Sequence, residues 1–460
     1  MTSESRTRPL PGTVRETATL ALPFLLSSVA AAVNHLTDRF FLAQTGDCAL
    51  EAVLPAGMLA NVLTVVLATT IGYSATFIAQ YHGGGRNRLA ASAFVQGLFL
   101  TALAVPLFFL AIPAGFAVLD FAGHAPAVLS AEKTYFLYTQ PAGALIVLAA
   151  VLGGLFTGQG HTKYVGFCAL VGAFGNILFD RLLILGWKAV PALGIQGAGL
   201  ATILAQALPC VLLAIRAIRD PLLTNQHVRE MLAFRPRLAA RIVRFGFPAG
   251  LNVLVGSATF TVFTLVLGRL GPLALAVSNA VFAIGNIYYL TATAIAQAVT
   301  ITTARAHGCG DIVAARRGLS SGLLLAALAL IAFFAAVLPF GDGWLGLFRG
   351  ESSAFDSGTF LATGRTLLLI LLAREIAEGL LTILIGALRG VGDTKFVLLI
   401  QSGIEILFWM PLVFAILLLR PSLYALWLTM PLCLGLSALC LRIRWRSSNW
   451  RRISLAEPNQ

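Results

Sequence analysis

Asp38, Asn176, Asp180 and Thr202 lie inside long apolar runs, where ionisable or strongly polar side chains are costly and point to function by default. Asn176 and Asp180 are one helical turn apart and share a face, and Asn34 stands in the same relation to Asp38. At about 1.5 Å of rise per residue, Asp38 lies roughly 21 residues into its run and Asp180 roughly 17 into its own, while Thr202 is a few residues in from the opposite end of a third. All three therefore reach a similar level. Two carboxylates with amides and a hydroxyl make a hard-oxygen site. Such a set can hold a small cation through its oxygen ligands. It can equally take a proton, because two desolvated carboxylates side by side repel and a shared proton relieves the repulsion. The bland alternative is mutual pairing. Arg39 follows Asp38 and Arg181 follows Asp180, so an Asp38–Arg181 or Asp180–Arg39 bridge would neutralise the site. Neighbours on a helix point about 100° apart, so each arginine can instead face the interface and snorkel.

A second set comprises Glu378, Glu405 and Arg374. The two acids lie at similar distances from the gap between their runs, which places both near mid-membrane. Arg374 is one turn from Glu378, so an ion pair that locks the bundle and a role in binding are both open. Asn279, Asn286, Tyr288 and Tyr289 could line a cleft, although hydrogen bonds between helices are the plainer reading. Pro23 and Pro248 each remove a backbone hydrogen bond near the start of a long run, and only the run of Pro23 also carries an acid of the first set.

The elements that hold these residues are membrane helices. The 460 residues have a mean hydropathy of +0.87, with 58% hydrophobic and 11% charged. A soluble domain carries about 25% charged residues, so the surplus apolar surface must face lipid. Twelve runs are long enough to span, at 17–43, 56–80, 89–111, 133–156, 163–185, 197–218, 240–267, 273–304, 314–338, 360–388, 395–419 and 422–441. They are continuous rather than alternating, which excludes a β-barrel. The expected class is all-α integral membrane.

The formal charge of +13 belongs to the gaps. Arg86, Arg88, Lys163, Arg216 to Arg244, Arg305, Arg316, Arg317, Arg389, Lys395 and Arg442 to Arg452 fall on one side, with Arg6, Arg8 and Arg15 before the first run. Asp47, Glu51, Asp120, Glu132, Asp342, Glu351 and Asp356 dominate the other. Basic loops stay cytoplasmic, so both termini are expected inside, and the charge does not indicate nucleic acid. The six cysteines show no metal or disulfide spacing, and the N-terminus does not read as a cleaved signal.

The chain is also written twice. Gly158-Gln159-Gly160-His161-Thr162-Lys163 returns 232 residues later as Gly390-Val391-Gly392-Asp393-Thr394-Lys395. His82-Gly83-Gly84-Gly85 returns 225 residues later as His307-Gly308-Cys309-Gly310, with the same shift separating Pro23 and Pro248. Six spans per half give parallel repeats, so two six-helix lobes related by a pseudo-twofold axis along the membrane normal are expected, with a cleft between. The divisions are an N-lobe at 1–218, a cytoplasmic linker at 219–239 and a C-lobe at 240–460 with a basic tail. The repeat is an internal control. Asp38, Asn176 and Asp180 correspond to Phe263, Phe408 and Leu412, so no need common to both halves explains them.

These residues resemble the MATE (multidrug and toxic compound extrusion) family over nearly the whole chain, from Leu20 to Leu441. "LALPFLLSS…TDRFFLA" is similar to its first span, "GHTKYV…GNILFDRLLILG…LGIQGAGLAT" to spans 5 and 6, and "LIGALRGVGDTK" to the exit of span 10. The resemblance implies a secondary antiporter that exports lipophilic, often cationic, small organic compounds by alternating access, driven by inward H+ or Na+. It implies that the N-lobe cation site carries over to Asp38, Asn176, Asp180 and Thr202, that loading it bends the first helix at Pro23, and that Glu378 matches an acid of some members' C-lobe. Span 7 lacks the acid of the bacterial Na+-coupled and eukaryotic branches, which leans toward a DinF-like or divergent branch. Arg181 replaces a common proline and Arg39 a common small residue.

The expected setting is the bacterial inner membrane, with lipids around a monomer and no bound cofactor. A flippase for a lipid-linked oligosaccharide is the main alternative, and would need a cationic cavity to which Arg39, Arg181 and Arg374 could contribute. An intramembrane enzyme would need a nucleophile–base or metal constellation at one depth, and none is visible; all six histidines lie in loops or near interfaces, His35 being closest to membrane depth.

Overall fold

The computed structural model describes residues 12–187, 191–224, 233–348, 356–447, 449–453 and 455. Arg6, Arg8, Glu351 and the middle of the proposed linker lie outside these residues, as do the side chains of His35 and Asp47.

Among the described residues, regular structure is helical almost throughout. Eleven helices are long and apolar enough to cross a membrane: α1 Val14–Leu42, α2 Cys48–Gly83, α3 Asn87–Ala122, α4 Pro126–Gly158, α5 Thr162–Leu183, α6 Ile195–Ile218, α7 Pro236–Arg269, α8 Pro272–Gly308, α9 Ile312–Val337, α11 Thr394–Leu419 and α12 Leu423–Arg446. The twelfth, α10 (Ser357–Val391), has 35 residues and differs in carrying three charged residues, Arg374, Glu375 and Glu378, near its middle. Helices satisfy their own backbone groups, so they can stand in lipid. Leu110, Phe121, Leu407 and Leu418 are exposed apolar side chains of the kind that face acyl chains.

The chain divides into two compact units. The divisions fall between Leu25 and Leu26, inside α1, and between Gly250 and Leu251, inside α7. One unit holds the rest of α1 with α2 to α6 and the start of α7, and Leu455 joins it. The other holds the start of α1, the rest of α7 and α8 to α12.

Each unit repeats the same packing. In the first, α4 packs against α2, α3 and α6, and α5 against α6. In the second, α10 packs against α8, α9 and α12, and α11 against α12. The duplicated glycines explain how these pairs come together. A Cβ on Gly158 of α4 would lie 2.9 Å from the Ala75 carbonyl of α2, and one on Gly390 of α10 would lie 2.5 Å from the Thr300 carbonyl of α8. Those two contacts are the same contact in the two repeats. Small residues allow this approach where lipid supplies no hydrophobic drive. The second glycine of each motif closes the turn in the left-handed region, at φ 83 for Gly160 and 97 for Gly392.

Candidate functional site

In the first unit, α1 and α5 bring Asp38, Asn176 and Asp180 together. All three are buried, with Asp180 fully so. Asn176 Nδ2 donates to Asp38 Oδ1 at 3.0 Å and to Asp180 Oδ2 at 2.6 Å. One amide group therefore bridges two carboxylates from different helices. Its two N–H groups offset part of their mutual repulsion but bring no positive charge. Asp180 Oδ1 and Asn34 Oδ1 are buried with no hydrogen-bond partner. Orphaned acceptors of this kind suit a ligand that brings positive charge.

Thr202 joins through a residue that the sequence reading did not single out. Its Oγ1 donates to the Ala198 carbonyl at 2.9 Å in its own helix. The Tyr135 hydroxyl lies near it, within electrostatic reach of Asp38 and Asp180. Tyr135 is buried on α4. Nothing in its sequence position separates it from the interfacial tyrosines common in membrane helices.

The neighbouring arginines are directed elsewhere. Arg181 Nη1 donates to the Gly186 carbonyl at 3.0 Å, and its guanidinium lies over the Trp187 ring, 5.3 Å from the centroid. Arg39 is exposed. At two of the positions equivalent to the cluster, the second unit has Phe263, buried and stacked on Trp409 at 5.3 Å, and Phe408, an exposed apolar side chain.

The second unit carries its own cavity of about 550 Å³, into which Arg374, Glu378, Glu405 and Arg389 project. Arg374 forms an ion pair with the fully buried Glu375, its immediate neighbour, and lies 3.6 Å from Glu378 Oε2. The Arg374–Glu378 ion pair, one of the two readings left open, is therefore shared, with Glu375 taking the shorter bond. Room for Glu375 comes from Gly285 of α8, where a Cβ would stand 2.9 Å from Oε1. Thr382 Oγ1 donates to Glu378 Oε1 at 3.0 Å, and Gln401 Nε2 donates to Glu405 Oε1 at 3.0 Å. Glu405 opens a π-helical turn, Glu405–Trp409, that interrupts α11. Such turns carry one extra residue, have no simple sequence signature and recur at functional sites. Of the polar residues of α8, Asn286 and Tyr289 line this cavity, while Tyr288 donates across to the Ala326 carbonyl of α9.

The MatE family pattern matches residues 23–182 and 248–415. The chain is 28% identical over 401 residues to the probable multidrug resistance protein NorM of Rhizobium meliloti, covering 84% of this chain and 82% of that protein. It is 29% identical over 393 residues to the protein of the same name in Bradyrhizobium diazoefficiens, covering 83% and 82%. Among solved structures, a MATE in complex with MaL6 superposes with a TM-score of 0.85 at 18% identity, covering 96% of this chain and 98% of that one. An outward-facing multidrug resistance MATE family transporter of the MOP superfamily superposes with a TM-score of 0.84 at 17% identity, covering 96% and 97%.

Proposed function

We propose that this chain, which belongs to the MatE family, is a secondary antiporter that exports lipophilic or cationic organic compounds by alternating access, driven by entry of H+ or Na+. The observation that carries the reading is the pair of buried carboxylates bridged by one neutral amide, present in only one of two repeats. With the neutral Asn176 amide bridging them, the acids favour whatever brings positive charge. A proton shared by Asp38 and Asp180 would do so. So would Na+, held as cargo by carboxylate oxygens with the Asn34 oxygen and the Thr202 hydroxyl within the same set.

Loading the cluster changes the charge on α1. A cation can drive a conformational change only through different affinities in the two states. The acids supply that difference if one state presses them together and the other lets them part. Pro23 is the hinge in this scheme, because α1 already lacks a backbone hydrogen bond there. Export involves no bond making or breaking by the protein. The names of the NorM relatives support drug export, and the basic gaps support an inner-membrane protein with both termini cytoplasmic. A lipid-linked pyrophosphate would need arginines gathered around one cavity. Arg181 is turned to Gly186 and Arg39 is exposed, and in the cavity of the second unit Arg374 and Arg389 share the lining with Glu378 and Glu405, which favours the antiporter.

Substrate efflux from proteoliposomes, with a pH gradient and a Na+ gradient imposed separately, tests the reading. One gradient is expected to drive efflux, and Asp38→Asn is expected to abolish that coupling while leaving expression normal. Full coupled efflux by the Asp38→Asn protein would remove the cluster from the mechanism.

A further inference from the structure

Beyond α12 the chain seats two apolar side chains, and it seats them in different units. Asn449–Arg452 form a 3-10 turn that brings Trp450 back to the end of α12. Trp450 is fully buried, stacks on Trp445 with ring centroids 4.5 Å apart and donates its Nε1–H to the Trp445 carbonyl at 2.8 Å. Its ring also meets that of His307 on α8, at 5.9 Å, and His307 Nε2 donates to the Ile453 carbonyl at 2.7 Å. These partners all belong to the second unit. Leu455, two residues after Ile453, belongs to the first. It is fully buried in a core that includes Tyr81 of α2 and Leu238 and Ile242 of α7. Its carbonyl accepts from the Tyr81 hydroxyl at 3.1 Å and from Arg241 Nη2.

The chain therefore changes unit between Trp450 and Leu455. Fully extended, that length of backbone spans no more than about 18 Å. Alternating access in a protein of two repeats is largely a rocking of one against the other, which parts their ends on one face at a time. While both side chains stay seated, the backbone between them caps any separation on the face that carries this tail. We infer that residues 450–455 are a strap that holds this face closed, and that opening it wide requires Leu455 to leave its seat. Leu455 is the end that yields, because an indole takes more apolar surface out of water than an isobutyl group does, and Trp450 adds a stacked ring and a bonded N–H. By the charge of the gaps this face is the cytoplasmic one, so the strap biases the chain against the inward-open state. The inference rests on the alternating-access reading for what the strap restrains.

The test is double electron–electron resonance on the full chain in lipid nanodiscs. Spin labels go on Gly84→Cys and Val313→Cys, two exposed positions on this face, one in each unit. Cys48, Cys309 and Cys440, the cysteines that are not buried, are changed to Ser. The deciding variant inserts about eight Gly and Ser residues between Ile453 and Ser454, which adds up to roughly 28 Å of reach and leaves both seats intact. The fraction of molecules at the longer label distance is expected to rise at least about threefold, with Tm unchanged. Leu455→Ala and Trp450→Ala should each raise it to a similar extent. The double variant should go no further than either alone, because a strap freed at one end has nothing left to release. The insertion touches neither seat, so it decides even where Trp450→Ala unfolds the chain. A distance distribution that the insertion leaves unchanged overturns the inference. So do additive effects of the two substitutions, which would mean that each side chain only stabilises its own unit. Distances that respond to the insertion in a protein that exports nothing under either gradient keep the strap and lose the export reading. Gradient-driven export with distances that do not respond does the reverse.

Discussion

At the residue scale, both candidate sites set carboxylates against few positive charges, and they do so differently. Asn176 holds Asp38 and Asp180 with a neutral donor, whereas Arg374 holds Glu375 with a full charge. The second arrangement is structural in its consequences. Glu375 is fully buried, so removing its cation leaves a charge that burial strongly disfavours. Arg374→Met is expected to cost about 3 kcal/mol or more, read as a lower Tm in detergent, and Arg374→Met with Glu375→Met should recover most of it. Recovery absent in the double variant would mean that the guanidinium acts on something other than Glu375. The polar cluster of the first unit could be read from sequence because depth along a helix is simple arithmetic. Tyr135 could not, since a tyrosine in a membrane helix is ordinarily an interfacial anchor. Nor could Arg389 be separated from loop charges that only orient the chain.

At the element scale, the duplicated glycine motif carries two jobs in each repeat. The first glycine admits a neighbouring backbone, and the second turns the chain. The recurrence of the motif is visible in the sequence, but close approach of another helix is a tertiary fact. Gly390→Ala should force α10 from α8, since its Cβ would lie 2.5 Å from the Thr300 carbonyl. Overpacking of this kind costs about 1–3 kcal/mol. Gly435→Ala is the control. It lies in α12 with nothing within 4 Å of its Cβ, so it should be neutral or mildly stabilising. Thermal melts of the two variants decide whether close approach or glycine content matters. The π-helical turn at Glu405 remained hidden for a different reason. It depends on backbone bonding that residue types do not encode, yet it is part of how α11 presents Glu405 to the cavity.

At the scale of the whole molecule, twelve helices and their doubling were legible because hydropathy and repeated motifs are one-dimensional signals. The divisions between units were not. They fall inside α1 and α7, and they are separated by the same 225 residues as Pro23 and Pro248. Each division lies within three residues of its proline, so both helices change unit close to a missing backbone hydrogen bond. The two are equivalent in architecture and unequal in charge, because α1 continues to Asp38 whereas α7 has Phe263 at that position. If the proline acts through the carboxylate on its own helix, only one of the pair should matter for coupling. Pro23→Ala is then expected to lower efflux driven by the ion gradient at least about tenfold, with ligand binding and Tm little changed, because restoring one hydrogen bond stiffens α1 without altering the cluster. Pro248→Ala should leave the dependence on the gradient as in wild type. Equal defects in the two variants would assign the prolines a shared structural role and leave loading of Asp38 without a hinge to act on.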